Sequence, residues 1–152
     1  RGAEAVVASF AVGETGKVTA LEANPLIAAV IGDGLAHRVG DNYEMHAAMR
    51  RITVHHADAL GYLRTAADDS YDVIYFDPMF RRPLHESAGM NALRALADMR
   101  ALTDETIAEA RRAARLRVVM KERRKSAEFA RLGFTEIMGG KYSRIAYGVI
   151  NL

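Results

Sequence analysis

Four consecutive residues, Asp77-Pro78-Met79-Phe80, join a carboxylate, a proline carbonyl and an aromatic ring directly after the apolar run Val73-Ile74-Tyr75-Phe76. A carboxylate accepts a hydrogen bond from an amine, and the carbonyl of Pro78, whose own nitrogen carries no hydrogen, is available to accept a second. Two acceptors hold an exocyclic amine with its lone pair directed outward. Phe80 can stack on the ring that bears the amine, a contact worth about 1–3 kcal/mol per base in nucleic-acid complexes. An Asp-Pro pair after a strand also serves as a plain turn, and a phenylalanine as plain core, so the tetrapeptide takes its meaning from its surroundings.

Two further acids occupy equivalent places. Glu22 follows Lys17-Val18-Thr19-Ala20-Leu21, and Asp58 follows Ile52-Thr53-Val54-His55-His56 and Ala57. These runs, like Tyr71 to Phe76, are short and rich in β-branched or aromatic residues. The third is nearly continuous in apolar character, as in a parallel strand covered on both faces. All three acids then sit at the carboxyl ends of strands, the edge at which open α/β sheets bind ligands. Glu22 follows Gly2 by about the 20 residues that separate a glycine-rich loop from a ribose-binding acid in dinucleotide folds. Taken singly, Glu22 and Asp58 read more readily as solvated loop or helix-cap acids, and it is three strands ending alike that points to a site.

The elements between them alternate. Glu4 to Ala11 reads as a helix with an apolar face of Ala5, Val6, Ala8 and Phe10, ended by Gly13 and Gly16. Asn24 caps a helix that has Pro25 at its first position and the stripe Leu26, Ile27, Val30 and Ile31. Asp41 to Arg50 forms another, with Met45, Ala48 and Met49 on one side, and Leu60 to Ala67 a short one before the turn Asp68-Asp69-Ser70. Thr103 caps a helix from Asp104 to Ala114, with Glu105 in its first turn, and the strand Leu116 to Met120 follows. Alternating strand and helix predicts a parallel sheet. The chain ends differently: Phe134 to Met138 and Arg144 to Ile150 read as strands joined by Gly139-Gly140-Lys141-Tyr142-Ser143, an antiparallel hairpin.

From Arg1 to about Phe80 the chain resembles the class I S-adenosylmethionine-dependent methyltransferases, and within them the ribosomal small-subunit RNA methyltransferase J family, which methylates the exocyclic amine of a guanine in 16S ribosomal RNA. The resemblance is carried by Arg1-Gly2-Ala3-Glu4-Ala5, like the end of a glycine-rich motif, by Glu22-Ala23-Asn24-Pro25 through Gly34-Leu35-Ala36, and by Tyr75-Phe76-Asp77-Pro78-Met79-Phe80. It implies an α/β, Rossmann-like sheet in the order third, second, first, fourth, fifth, seventh, sixth, mostly parallel with the C-terminal antiparallel hairpin. It also implies S-adenosylmethionine as cofactor, touched by Arg1, Gly2, Glu22 (ribose), Ala23, Asp58 (near adenine), Ala59 and Asp77. Asp77, Pro78 and Phe80 are the expected catalytic residues. Met79, Arg81, Arg82, Lys121 and Arg123 are the expected contacts to RNA, 16S ribosomal RNA or the small subunit. The chain departs from the family at Arg81-Arg82-Pro83-Leu84, where a proline would directly follow the phenylalanine, and keeps only part of the fifth-strand pattern in Arg117 to Arg123.

The expected first strand and its glycine turn do not occur in the sequence, which opens at Arg1 already inside what reads as the first helix. That strand is central in the expected order. Leaving its neighbours unpaired would cost on the order of 1–3 kcal/mol per buried backbone group, so the expectation is that residues precede Arg1 in the natural protein. The 152 residues are expected to form one catalytic domain, incomplete at its N-terminus.

Other chemistries fit less well. Gly13-Glu14-Thr15-Gly16-Lys17 imitates a phosphate-binding loop, but Ala11 and Val18 stand where a glycine and a Ser or Thr are required, and a helix precedes where a strand should. The terminal hairpin weighs against a nicotinamide-dependent dehydrogenase. Methylation of another amine, such as adenine in DNA or a small molecule, uses the same Asp-Pro logic. A non-catalytic nucleic-acid-binding domain of this fold would need neither Glu22 nor Asp77.

Composition sets looser bounds. Half the residues are hydrophobic, enough for a core, and the absence of cysteine rules out disulfides and thiolate metal sites. His37, His46, His55, His56 and His85 lack ligand spacing, so no metal is expected. No apolar run is long enough to span a membrane and no signal peptide is visible; the absence of cysteine fits a cytoplasmic protein. The net charge is +2 with a pI near 9.1. The basic residues Arg81 and Arg82, and Arg123, Arg124 and Lys125, fall beside the proposed amine site, where they could meet phosphates or simply be solvated.

Overall fold

The computed structural model describes residues 2–37, 42–78 and 101–152; Arg1, Asp41 and the segment holding Met79, Phe80, Arg81 and Arg82 lie outside the described residues. The chain divides into two compact units, Arg1–Ala59 and Leu60–Leu152.

The first unit runs α1 (Gly2–Val12), β1 (Val18–Glu22), α2 (Pro25–His37), α3 (Tyr43–Arg50) and β2 (Ile52–His56). β1 and β2 pair in parallel from Val18↔Ile52 to Glu22↔His56. Gly13 ends α1 with φ 78°, a conformation cheap only for glycine, and its N–H returns to the Phe10 carbonyl at 3.2 Å. Asn42 caps α3 by accepting from the Met45 N–H at 2.9 Å. Ala48 and Met49 of α3 are buried as their spacing predicts.

Two helix faces differ from expectation. In α1 the fully buried residue is Ser9, while Phe10 is 46% exposed. Ser9 Oγ donates to the Ala48 carbonyl at 2.6 Å, so a small hydroxyl marks where α1 meets α3 and the bulkier Phe10 is turned aside. In α2 the buried pair is Ile27 and Ala28, and Leu26 and Val30 face outward.

The second unit carries α4 (Ala59–Thr65), β3 (Tyr71–Phe76), α5 (Asp104–Ala113), β4 (Ala114–Arg123), α6 (Glu128–Arg131), β5 (Glu136–Met138) and β6 (Ile145–Asn151). Its sheet has the order β3-β4-β6-β5, with β3 and β4 parallel and β6 antiparallel to both β4 and β5, so the terminal hairpin is present. β4 extends beyond its expected ends because β6 pairs with it as far as Arg123↔Ile145 and β3 as far back as Tyr71↔Ala114. Val118 and Met120, with Ala146, Gly148 and Ile150, bury one face of this sheet, and Ile107, Ala110 and Ala113 of α5 and Phe129 near the C-terminal strands complete the core. Phe129 and Phe134 meet edge to face at 6.4 Å. Ile74 and Phe76 share the register of Val118 and Met120; Val73 and Tyr75 project to the other face and are exposed, so β3 is covered on one face among the described residues, not on two.

The strands therefore form two sheets, β1-β2 and β3-β4-β6-β5. Counted in the expected order, β2 and β1 are the third and second strands, and β3, β4, β6 and β5 the fourth, fifth, seventh and sixth. No strand among the described residues stands at the first position.

Candidate functional site

In the first unit the site is built on the exits of β1 and β2. Glu22 ends β1 with only 3% of its surface exposed. Its Oε1 accepts the Asn24 N–H at 2.9 Å, and the Asn24 side-chain oxygen accepts the Leu26 and Ile27 N–H groups at 2.9 and 3.1 Å. One short turn thus starts α2 and fixes the carboxylate by the same bonds. The exit of β2 is tied to it: the Ala57 N–H donates to the Glu22 carbonyl at 3.1 Å, and His56 Nε2 lies 3.1 Å from the Ala23 carbonyl. Sequence spacing had left His56 without a role. Glu22, Ala23 and the exposed Asp58 therefore share one edge of β1-β2, with Ala59 opening α4. A held carboxylate beside a solvent-facing one suits the hydroxyl and amine donors of an adenosine group. Gly2 lines a cavity of about 450 Å³ with Val6, Val30, Ile31 and Met49, and Glu22, Ala23 and Asp58 are not among its lining residues.

In the second unit Asp77 directly follows β3. Phe76 pairs with Met120 in the parallel register, which sets Asp77 beside Lys121; the Lys121 Nζ lies 3.7 Å from Asp77 Oδ1, with the two side chains 19% and 24% exposed. Pro78 is half-buried next to them. The Lys121 side chain, an expected RNA contact, lies beside the carboxylate. No sequence signal announces this contact, because it depends on the register between strands far apart in the chain.

Beyond Lys121 the carboxyl end of β4 is basic. Arg124 donates from Nη2 to the Gly140 carbonyl at 2.5 Å and from Nε to the Ser143 carbonyl at 3.1 Å, so its guanidinium braces the β5–β6 connection. Arg123 is half-buried and Lys125 exposed. Among the described residues no group of three His, Cys, Asp or Glu side chains could hold a metal ion, and no helix is long and apolar enough to cross a membrane.

The family model described as "Putative SAM-dependent methyltransferase" matches residues 2–146. The uncharacterized protein YpiP of Bacillus subtilis is 42% identical over 98% of this chain and 58% of its own length. The ribosomal RNA small subunit methyltransferase J proteins of Marinobacter nauticus and Chromobacterium violaceum are 30% and 31% identical, over 84% and 88% of this chain and 47% and 54% of theirs. The chain spans about half the length of the curated relatives it matches. Among solved structures, the SAM-dependent methyltransferase NGO1261 from Neisseria gonorrhoeae shares the fold with a TM-score of 0.66 at 21% identity, covering 97% of this chain and 56% of that one. A family pattern running nearly from end to end, on an α/β chain whose strands end in acids where that fold binds its ligands, identifies the chain as a member of the S-adenosylmethionine-dependent methyltransferase family.

Proposed function

We propose that the chain is the catalytic domain of a cytoplasmic N-methyltransferase that modifies an exocyclic amine of a nucleobase, guanine in small-subunit ribosomal RNA. The observation that carries this reading is the Asp77-Pro78 pair at the exit of β3, with Lys121 holding the carboxylate. The relatives named ribosomal RNA small subunit methyltransferase J support the choice of substrate.

When bound, S-adenosylmethionine supplies an electrophilic methyl group on its sulfonium. Glu22, Ala23, Asp58 and Ala59 hold the adenosine part, the buried Glu22 accepting from ribose hydroxyls, and Arg1 and Gly2, which resemble the end of the family's glycine-rich motif, complete the set of cofactor contacts. Asp77 and the Pro78 carbonyl accept the two hydrogens of the target amine, and Phe80 stacks on its base. A guanine amine is a weak nucleophile because its lone pair is delocalised into the ring. Acceptors that draw it toward tetrahedral geometry help the transition state more than the ground state. Alignment supplies most of the acceleration. Met79, Arg81, Arg82 and Arg123 face the RNA.

The test is transfer of radiolabelled methyl from S-adenosylmethionine to naked 16S ribosomal RNA and to small subunits by the natural protein, with Asp77→Ala as control. Label in RNA that disappears in the variant, with cofactor affinity kept, is the expected result. Wild-type protein that binds the cofactor but labels neither RNA sample would move the reading to another amine, and equal loss of turnover and cofactor affinity would reassign Asp77 to cofactor binding or folding.

A further inference from the structure

The connection between β5 and β6 is an ordered, basic loop with an aromatic ring at its tip. The Ser143 N–H donates to the Gly140 carbonyl at 2.9 Å, which closes a tight turn with Lys141 and Tyr142 at its two corners. Ser143 Oγ donates to the Ile145 carbonyl at 2.8 Å, the Arg124 N–H donates to the Arg144 carbonyl at 2.9 Å, and the Arg124 guanidinium adds its two bonds from below. The turn is therefore fixed at both ends. Yet the ring it carries is not packed: Tyr142 is 89% exposed, the Lys141 ammonium lying over it at 5.5 Å. A large ring held in water by a braced turn is an open stacking platform.

Its surroundings are cationic. Arg123, Lys125, Lys141 and Arg144 cluster around the turn, and none of them is in an ion pair with a carboxylate among the described residues. The same end of the sheet holds the amine site. Asp77 lies beside Lys121, Arg123 is two residues further along β4, roughly 7 Å at strand rise, and the loop begins one strand spacing to the side, about 5 Å away. An aromatic face with unpaired cations around it fits an unpaired nucleic-acid strand, whose bases stack and whose phosphates meet the charges; it does not fit a duplex, whose bases already stack on each other.

We infer that Tyr142, with Lys141 and Arg144, binds the single-stranded RNA flanking the target base, Tyr142 stacking on a neighbouring base. This deepens the RNA reading above and rests on it. The experiment measures binding of a labelled single-stranded oligoribonucleotide, and of the same strand in a duplex, over a salt series. Wild-type protein is compared with Tyr142→Ala, Tyr142→Phe and Arg144→Ala, and S-adenosylmethionine affinity serves as the control for folding. Tyr142→Ala should weaken single-strand binding about 5- to 100-fold with an unchanged salt slope, and Tyr142→Phe should restore it. Arg144→Ala should lower the salt slope by about 0.7. Wild-type RNA affinity that Tyr142→Ala leaves intact would overturn this inference alone. Wild-type protein that binds the cofactor but no RNA would overturn the RNA reading and this inference with it.

Discussion

Asp77 can orient an amine only if its own carboxylate is held still, and the Lys121 ammonium 3.7 Å from Oδ1 is the group placed to hold it. Both side chains are mostly shielded from solvent, so the pair is less screened than a surface salt bridge. Misplacing a reacting group by about 1 Å costs on the order of 10²-fold in rate. Lys121→Met should therefore lower kcat by about 10- to 100-fold while the affinities for RNA and S-adenosylmethionine change little, and Lys121→Arg should recover part of the loss. Steady-state kinetics against binding curves separate the alternatives. If RNA affinity falls and kcat stands, Lys121 is an RNA contact, as the family resemblance first implied. Glu22 shows what sequence can deliver at this scale: a strand, an acid, then Asn-Pro is a local pattern, and the turn, the cap and the bond that holds the carboxylate all follow from neighbours within three residues. Lys121 shows what it cannot, since nothing near Lys121 in the chain names Asp77 as its partner.

At the scale of elements the same division holds. β1, β2, β3 and the terminal hairpin were legible because β-branched and aromatic runs bounded by turn residues have few alternatives. The buried face of α1 was not, because apolar periodicity carries no information about a serine whose hydroxyl is spent on the Ala48 carbonyl. Gly148 is a second such position. It pairs with Met120 across β4 and β6, and a Cβ there would come within 2.6 Å of the Phe129 ring and 2.8 Å of Phe134 Cβ. A sequence reads it as a weak strand residue; the packing requires it, because the edge-to-face pair of rings sits directly over the strand. Gly148→Ala should destabilise the fold by about 1–3 kcal/mol, the usual cost of forcing an extra carbon into a packed core. Thermal melting should show a Tm lowered by roughly 2–4 °C for each kcal/mol. Combining it with Phe129→Leu should recover part of the loss, since the two sites share the contact. An unchanged Tm in Gly148→Ala would mean that the rings yield freely.

For the whole molecule, the decisive fact is that the strands among the described residues are distributed over two sheets. Among the described residues, β4 and β6 each have a strand on both sides, whereas β1 pairs only with β2 and β3 only with β4. The Val18 N–H points to β2, donating to the Arg51 carbonyl at 3.1 Å, so strand alternation turns the Thr19 and Leu21 amides to the opposite edge. An amide at an open edge exchanges with solvent through small local fluctuations, while one laddered on both sides opens only with much of the sheet. Hydrogen exchange on these 152 residues should therefore find Val118 to Met120 among the slowest amides, and Thr19 and Leu21 faster by orders of magnitude. Protection at Thr19 and Leu21 equal to that of Val118 would show the outer edge of β1 paired and the two-sheet arrangement wrong. The expected pattern matters for function as well, because β1 and β3 are the strands whose exits carry Glu22 and Asp77.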